Sequence, residues 1–105
     1  MKIRIFDNAR FDLLDGFAFY EKQECGVGQY FLDSLYADVD TLEHHAGIHP
    51  KKFGGFHWML SRRFPYAIYY TIEDNTVLVH AILDCRQNPA KIRERLLREQ
   101  TRHWT

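Results

Sequence analysis

The stretch Thr76-Val77-Leu78-Val79-His80-Ala81-Ile82-Leu83-Asp84 decides the fold. Val77, Val79, Ala81 and Leu83 fall on one parity, and Leu78 and Ile82 on the other. Strand side chains alternate between the two faces of a sheet. A strand that is apolar on both parities needs cover on both sides and belongs in the interior of its sheet. Just upstream, Asp74-Asn75 marks a tight hairpin turn, since both residue types tolerate the left-handed backbone. The strand before that turn runs from Tyr66 to Ile72, with Ile68, Tyr70 and Ile72 on its core face. Tyr69 has the opposite parity and is expected to line an open sheet face. Phe56 to Phe64 predicts one more strand, and Pro65 lacks a ladder donor and so suits a strand break. Lys51-Lys52-Phe53-Gly54-Gly55 reads as a basic loop with flanking rings, able to touch phosphate and stack on a base or simply to stay solvated.

Towards the N-terminus the periodicity changes. Ile3 and Ile5 alternate with polar neighbours, which predicts a short strand over residues 2–6. From Ala9 to about Glu24, Leu13, Phe17, Tyr20 and Glu24 share one helical face, with Leu14 and Ala18 beside them. Cys25-Gly26-Val27-Gly28 breaks this helix. A second stripe of Val27, Phe31, Leu35, Val39, Leu42 and Ala46 predicts a helix from about Val27 to His45, ended by Pro50. So short a break folds two helices back as an antiparallel hairpin. At the other end, Asn88-Pro89 supplies an N-cap and a first-turn proline for a last helix. Its apolar stripe is only Ile92, Leu96 and Leu97, so it is expected to be weakly anchored. The predicted order is β-α-α-β-β-β-α, an α+β domain spanning residues 1–105. Its helical hairpin packs on a mainly antiparallel, twisted sheet, and the other sheet face is left for a partner or for the last helix.

Composition narrows the class. The 105 residues suffice for one domain, and aromatics reach 15%, which serves either a partner surface or core energy. Two cysteines, Cys25 and Cys85, are too few for a disulfide framework. The N-terminus meets charge too soon for a signal peptide, and no apolar run reaches membrane-spanning length. A soluble cytoplasmic protein is the expectation. Net charge is zero, yet residues 1–50 carry four Lys/Arg against nine Asp/Glu, net −5, and residues 86–105 carry six against two, net +4. A basic end can face nucleic acid or an acidic protein, although a solvated helix gives the same pattern.

Three stretches resemble the RelE/ParE toxin superfamily. Gly26-Val27-Gly28 with Phe31-Leu32-Asp33-Ser34-Leu35 resembles the start of the second toxin helix. Arg62-Arg63-Phe64-Pro65-Tyr66-Ala67-Ile68-Tyr69-Tyr70 resembles the junction of the middle strands. Val79 to Pro89 resembles the last strand and its exit. The resemblance implies the toxin of a type II toxin–antitoxin system, a growth-inhibiting, plasmid-stabilization class neutralised by a cognate antitoxin. It implies a homodimer or a toxin–antitoxin hetero-oligomer, with no cofactor, metal or membrane. Asp84 stands where many relatives carry a histidine, and no tyrosine follows Arg86. These features and the zero net charge favour a ParE-like member that binds a target such as DNA gyrase without catalysis. The alternative is a RelE-like ribosome-dependent mRNA endonuclease, and a second is a non-toxic interaction domain of the same fold.

Catalysis would fall to Arg86, Arg62 and His80. Arginine offsets charge on a pentacovalent phosphate with a planar fork that stays charged, and Arg86 matches the family's strand-exit arginine. His80, with the sequence parity of Asp84 and Arg86, would act as acid or base. Target or nucleic-acid binding would fall to Lys51, Lys52, Arg63, Arg86 and Tyr69. Arg86 paired with Asp84, and His80 as a satisfied sheet side chain, are the structural alternatives. His44, His45 and His49 lack an acidic partner pattern, so no zinc site is expected.

Overall fold

The computed structural model describes residues 1–104, with side chains to Thr101. The chain forms β1 (Lys2–Ile5), α1 (Asp7–Gln23), α2 (Val27–Asp40), a one-turn α3 (Leu42–His45), β2 (Lys51–Lys52), β3 (Phe56–Leu60), β4 (Tyr66–Glu73), β5 (Thr76–Asp84) and α4 (Pro89–Trp104). The strands make one sheet in the order β1-β5-β4-β3-β2, with β1 parallel to β5 and the other pairs antiparallel. The doubly apolar β5 is interior, as its pattern requires. Asp74 and Asn75 both take positive φ, 48° and 61°, the backbone of a two-residue hairpin whose twist matches its strands. The predicted loop at Lys51-Lys52 is instead a short edge strand, and the predicted strand from Phe56 ends at Leu60.

The helical hairpin covers one sheet face. Phe31, Leu35, Val39 and Leu42 from α2 and α3 bury with Leu13 of α1 against Ile68, Tyr70, Val77, Val79 and Ile82. Two glycines set the closeness of the helices. A Cβ on Gly16 would lie 2.4 Å from Phe31 Cζ, and one on Gly28 would lie 2.8 Å from the Phe17 carbonyl oxygen. At the bend, the Glu21 carboxylate accepts the backbone N–H of Gly26 (3.0 Å) and of Gly28 (2.9 Å). The end of α1 thereby satisfies otherwise orphaned donors at the start of α2.

The other face is not left open along its length. Ile92 and Leu96 of α4 are buried on Phe56, Ala67, Tyr69, Ala81 and Leu83. The expected weak anchoring of α4 is corrected by polar ties to α1. Arg95 donates to Asp12 through both terminal nitrogens, at 2.8 and 2.7 Å, and through Nε to Glu99 at 3.1 Å. Asn8 donates to Glu99 at 2.8 Å. Asp12 also accepts the Ile82 N–H at 3.0 Å, beyond the point where β1 leaves the edge of β5. The Asn88 carboxamide accepts the Ala90 N–H at 2.9 Å, starting the helix as predicted. Leu97, by contrast, is exposed.

The pairing of β4 with β5 is interrupted once. Tyr69 pairs with Ala81 but Tyr70 pairs with Val79, so His80 is the extra residue of a β-bulge. Val79 and Ile82 face the helical hairpin, whereas Ala81 and Leu83 face α4.

Candidate functional site

The strand exit places Arg86 in water beside Asp84. Its Nε and a terminal nitrogen donate to the two Asp84 oxygens at 3.0 and 2.7 Å, and its backbone N–H donates to the same carboxylate at 2.8 Å. The arginine bonds hold Asp84 below the usual carboxylate range, and Asp84 in turn fixes the Arg86 charge. The Cys85 N–H donates to the Pro65 carbonyl at 2.8 Å, which ties this exit to the corner between β3 and β4.

That corner carries Arg62 and Arg63. Buried Asp38 accepts the Ser61 hydroxyl at 2.7 Å and the Arg62 backbone and Nε at 3.3 and 3.2 Å. The Arg62 side chain is nevertheless 73% exposed. Arg63 is exposed as well, its guanidinium 5.8 Å from the centre of the Tyr30 ring. Between the two arginine sites lies a cluster of rings in contact: Tyr20, Tyr30, Phe31, Phe64 and Tyr66. Burial pushes the Tyr66 phenol up to about 12, so it stays neutral. The result is a ridge of three exposed guanidinium groups around aromatic side chains, with Tyr30 and nearby Phe19 about half exposed. Sequence reasoning named the arginines but not Tyr20, Tyr30 and Phe64. Tyr20 and Phe64 stood in stretches read as helix stripe and strand break, and Tyr30 fell outside the apolar stripe of its helix. Its signal was a large ring beside that stripe.

His80 does not join this ridge. The bulge turns it to the α4 side, where it is 2% exposed, edge-on to Phe6 and Phe56, with Nε2 2.8 Å from the Thr71 hydroxyl. Asp84 pairs with Tyr66 and so faces the helical hairpin. The parity that sequence counting gives His80, shared with Asp84 and Arg86, is thus broken by one inserted residue, and His80 and Arg86 stand on opposite faces. Tyr69 is likewise corrected. It is 3% exposed beneath α4, with its phenol raised to about 12 by burial, and it lines no open surface.

Lys51 and Lys52 are exposed on the edge strand β2. The Lys52 ammonium sits 3.8 Å from the centre of the Trp58 ring, a cation–π contact. Lysines on a strand edge also discourage pairing with other chains. Cys85 is exposed and free, with its thiol raised by partial burial. His49, past the end of α3, and His57 of β3 are held in structural hydrogen bonds. The Tyr70 hydroxyl accepts the Gly47 N–H at 3.0 Å and meets His49 Nδ1, and His57 Nδ1 donates to the His49 carbonyl at 2.7 Å. Burial, then neighbouring His57 and His45, lower the His49 pKa. Among the described residues no three His, Cys, Asp or Glu side chains converge as a metal site would need. Among them, too, no helix is long and apolar enough to cross a membrane.

No protein-family model and no curated protein matches the sequence. Among solved structures, a chain of the "Chromosomal ParDE TA system from P. aeruginosa" is similar, with a TM-score of 0.72 and 15% identity over 78% of this chain and 92% of that one. The fold is ParE-like. The elements of this fold account for the placement of the ridge: the exit of β5, the β3–β4 corner and the helical bend meet at one end of the sheet.

Proposed function

We propose that this chain is the toxin of a type II toxin–antitoxin module, neutralised by a small antitoxin and acting by binding a cellular target. The observation that carries the reading is the ParE-like fold, shared with a chain of a ParDE toxin–antitoxin system. The separation of His80 from Arg86 by the bulge supports binding over catalysis, since a base on the far side of the sheet cannot reach a phosphate held at the strand exit. DNA gyrase is the target this class suggests. The exposed Arg62, Arg63 and Arg86 with Tyr30 and Phe19 offer such a target charged and aromatic anchors, the residue types that dominate interface energetics.

The test is induction of the chain alone and together with the protein encoded by the adjacent gene. The expected outcome is growth arrest with DNA damage from the chain alone, relieved by a co-purifying neighbour. Message cleavage in codons at the ribosome, preceding any DNA damage, would replace this reading with a RelE-like endoribonuclease. Harmless expression without co-purification would leave a non-toxic interaction domain.

A further inference from the structure

A pocket of about 170 Å³ lies between α2 and the β3–β4 corner, at the Arg62–Arg63 end of the ridge. Buried Ser34 and Asp38 line it, together with exposed Tyr30, Asp33, Arg62 and Arg63. Its carboxylates already have donors. Asp38 accepts the Ser61 hydroxyl and the Arg62 backbone and Nε, and Asp33 accepts the Gln29 carboxamide at 2.9 Å. Ser34 differs. It is 7% exposed, and its hydroxyl has no hydrogen-bond partner among the described residues. A buried hydroxyl in that condition has lost water and gained nothing in return. The terminal nitrogens of Arg62 also lack an acceptor among the described residues, since only its Nε reaches Asp38. Arg63 has no carboxylate within ion-pair distance there and meets only the Tyr30 ring. Donors without acceptors thus surround one small space.

We propose that this pocket receives the carboxylate of an aspartate or glutamate side chain from the protein target. The assignment rests on the target-binding reading above and names the group that such a target must present. A carboxylate accepts from a guanidinium fork and from a hydroxyl at once, which suits Arg63, Arg62 and Ser34 together. The space is smaller than the roughly 300–1,000 Å³ of small-molecule sites, and suits a single side chain. Charge favours a carboxylate over a phosphate. Asp38 already offsets Arg62, so Arg63 supplies the uncommitted positive charge. A phosphate group brings about −1.5 to −2 near neutral pH, more than Arg63 offsets, and it meets Asp33 in the same lining.

The test titrates the full chain with glutamate, glutamine and phosphoserine, each acetylated at its amino group and amidated at its α-carboxyl, at constant ionic strength. NMR of the Arg63 Nε–H and the Ser34 amide reads binding. Blocked glutamate is expected to move both signals to saturation, and blocked glutamine to move neither. Arg63→Gln should remove the saturable shift. Ser34→Ala should weaken blocked glutamate about tenfold, the worth of one bond to a charged group, while its melting temperature is equal or higher because an unpartnered hydroxyl has gone. Unchanged glutamate binding in either variant overturns the assignment, whatever the melting temperature does. Tighter binding of blocked phosphoserine gives the pocket to phosphate and also overturns it. Signals that stay in place with every probe overturn it too, leaving water to meet Ser34. If induction arrests growth but no probe binds, the toxin reading stands without this pocket. If blocked glutamate binds as expected but induction is harmless, the toxin reading fails and carboxylate recognition remains.

Discussion

Arg86 and His80 show how position in space, rather than in sequence, distributes work among single residues. Arg86 is fixed by Asp84 yet stays in water, so its removal costs a surface pair and little packing. Under the proposed toxin reading, Arg86→Ala is expected to abolish toxicity while the melting temperature and antitoxin binding stay close to those of the parent. Loss of all three would instead mean that the residue holds up the strand exit. At Gly16 the constraint is steric. An added methyl meets the Phe31 ring well inside contact distance. Gly16→Ala should therefore destabilise by about 1–3 kcal/mol, although alanine is the better helix former. Chemical denaturation measures it, and a stabilised variant would show that Phe31 swings aside at no cost.

Among the elements, α4 and the helical bend depend on polar contacts that apolar patterning does not reveal. Arg95 is mostly buried between Asp12 and Glu99. Burial pushes the Asp12 carboxyl up, against the opposing pull of Arg95. Arg95→Ala removes the guanidinium that bonds both carboxylates, at a cost of about 2–4 kcal/mol, and hydrogen exchange in α4 should accelerate first. At the bend, the Gly26 and Gly28 amides hold Glu21 below its ordinary value of 4.5. A depressed folded-state pKa contributes stability that is complete above about pH 4.5 and is lost as pH falls through the folded value. Glu21→Gln should flatten the stability curve on that acid side and lower stability at neutral pH. An unchanged acid limb would mean that the Glu21 bonds add nothing to the fold.

For the whole molecule, the sequence reveals most of the architecture, because binary patterns report faces. The two helical stripes, the doubly apolar β5 and the Asp74-Asn75 turn suffice for a hairpin on an antiparallel-dominated sheet. The covering of the second face was hidden for a physical reason. Its anchors, Asn8 and Asp12, belong to α1, far along the chain from Arg95 and Glu99, and a polar residue on a helix reads as solvated until its partner is known. The bulge was hidden because alternation counts residues while a sheet counts pairs. One extra residue moved His80 away from Asp84 and, with α4 in place, Tyr69 served as core. The arginines of the ridge were legible from their local stretches, but the rings joining them come from three separate segments.

The parallel pairing of β1 with β5 has a consequence for synthesis. Lys2 finds its neighbour only at Thr76. At roughly 5–20 residues per second, the first strand leaves the ribosome several seconds before β5 exists to receive it. Until then the helices have no sheet beneath them, and Arg86 has not yet been made. Under the proposed toxin reading, a growing polypeptide therefore cannot yet present the assembled ridge to its target, which leaves time for an antitoxin made nearby to be waiting when the last strand closes the fold.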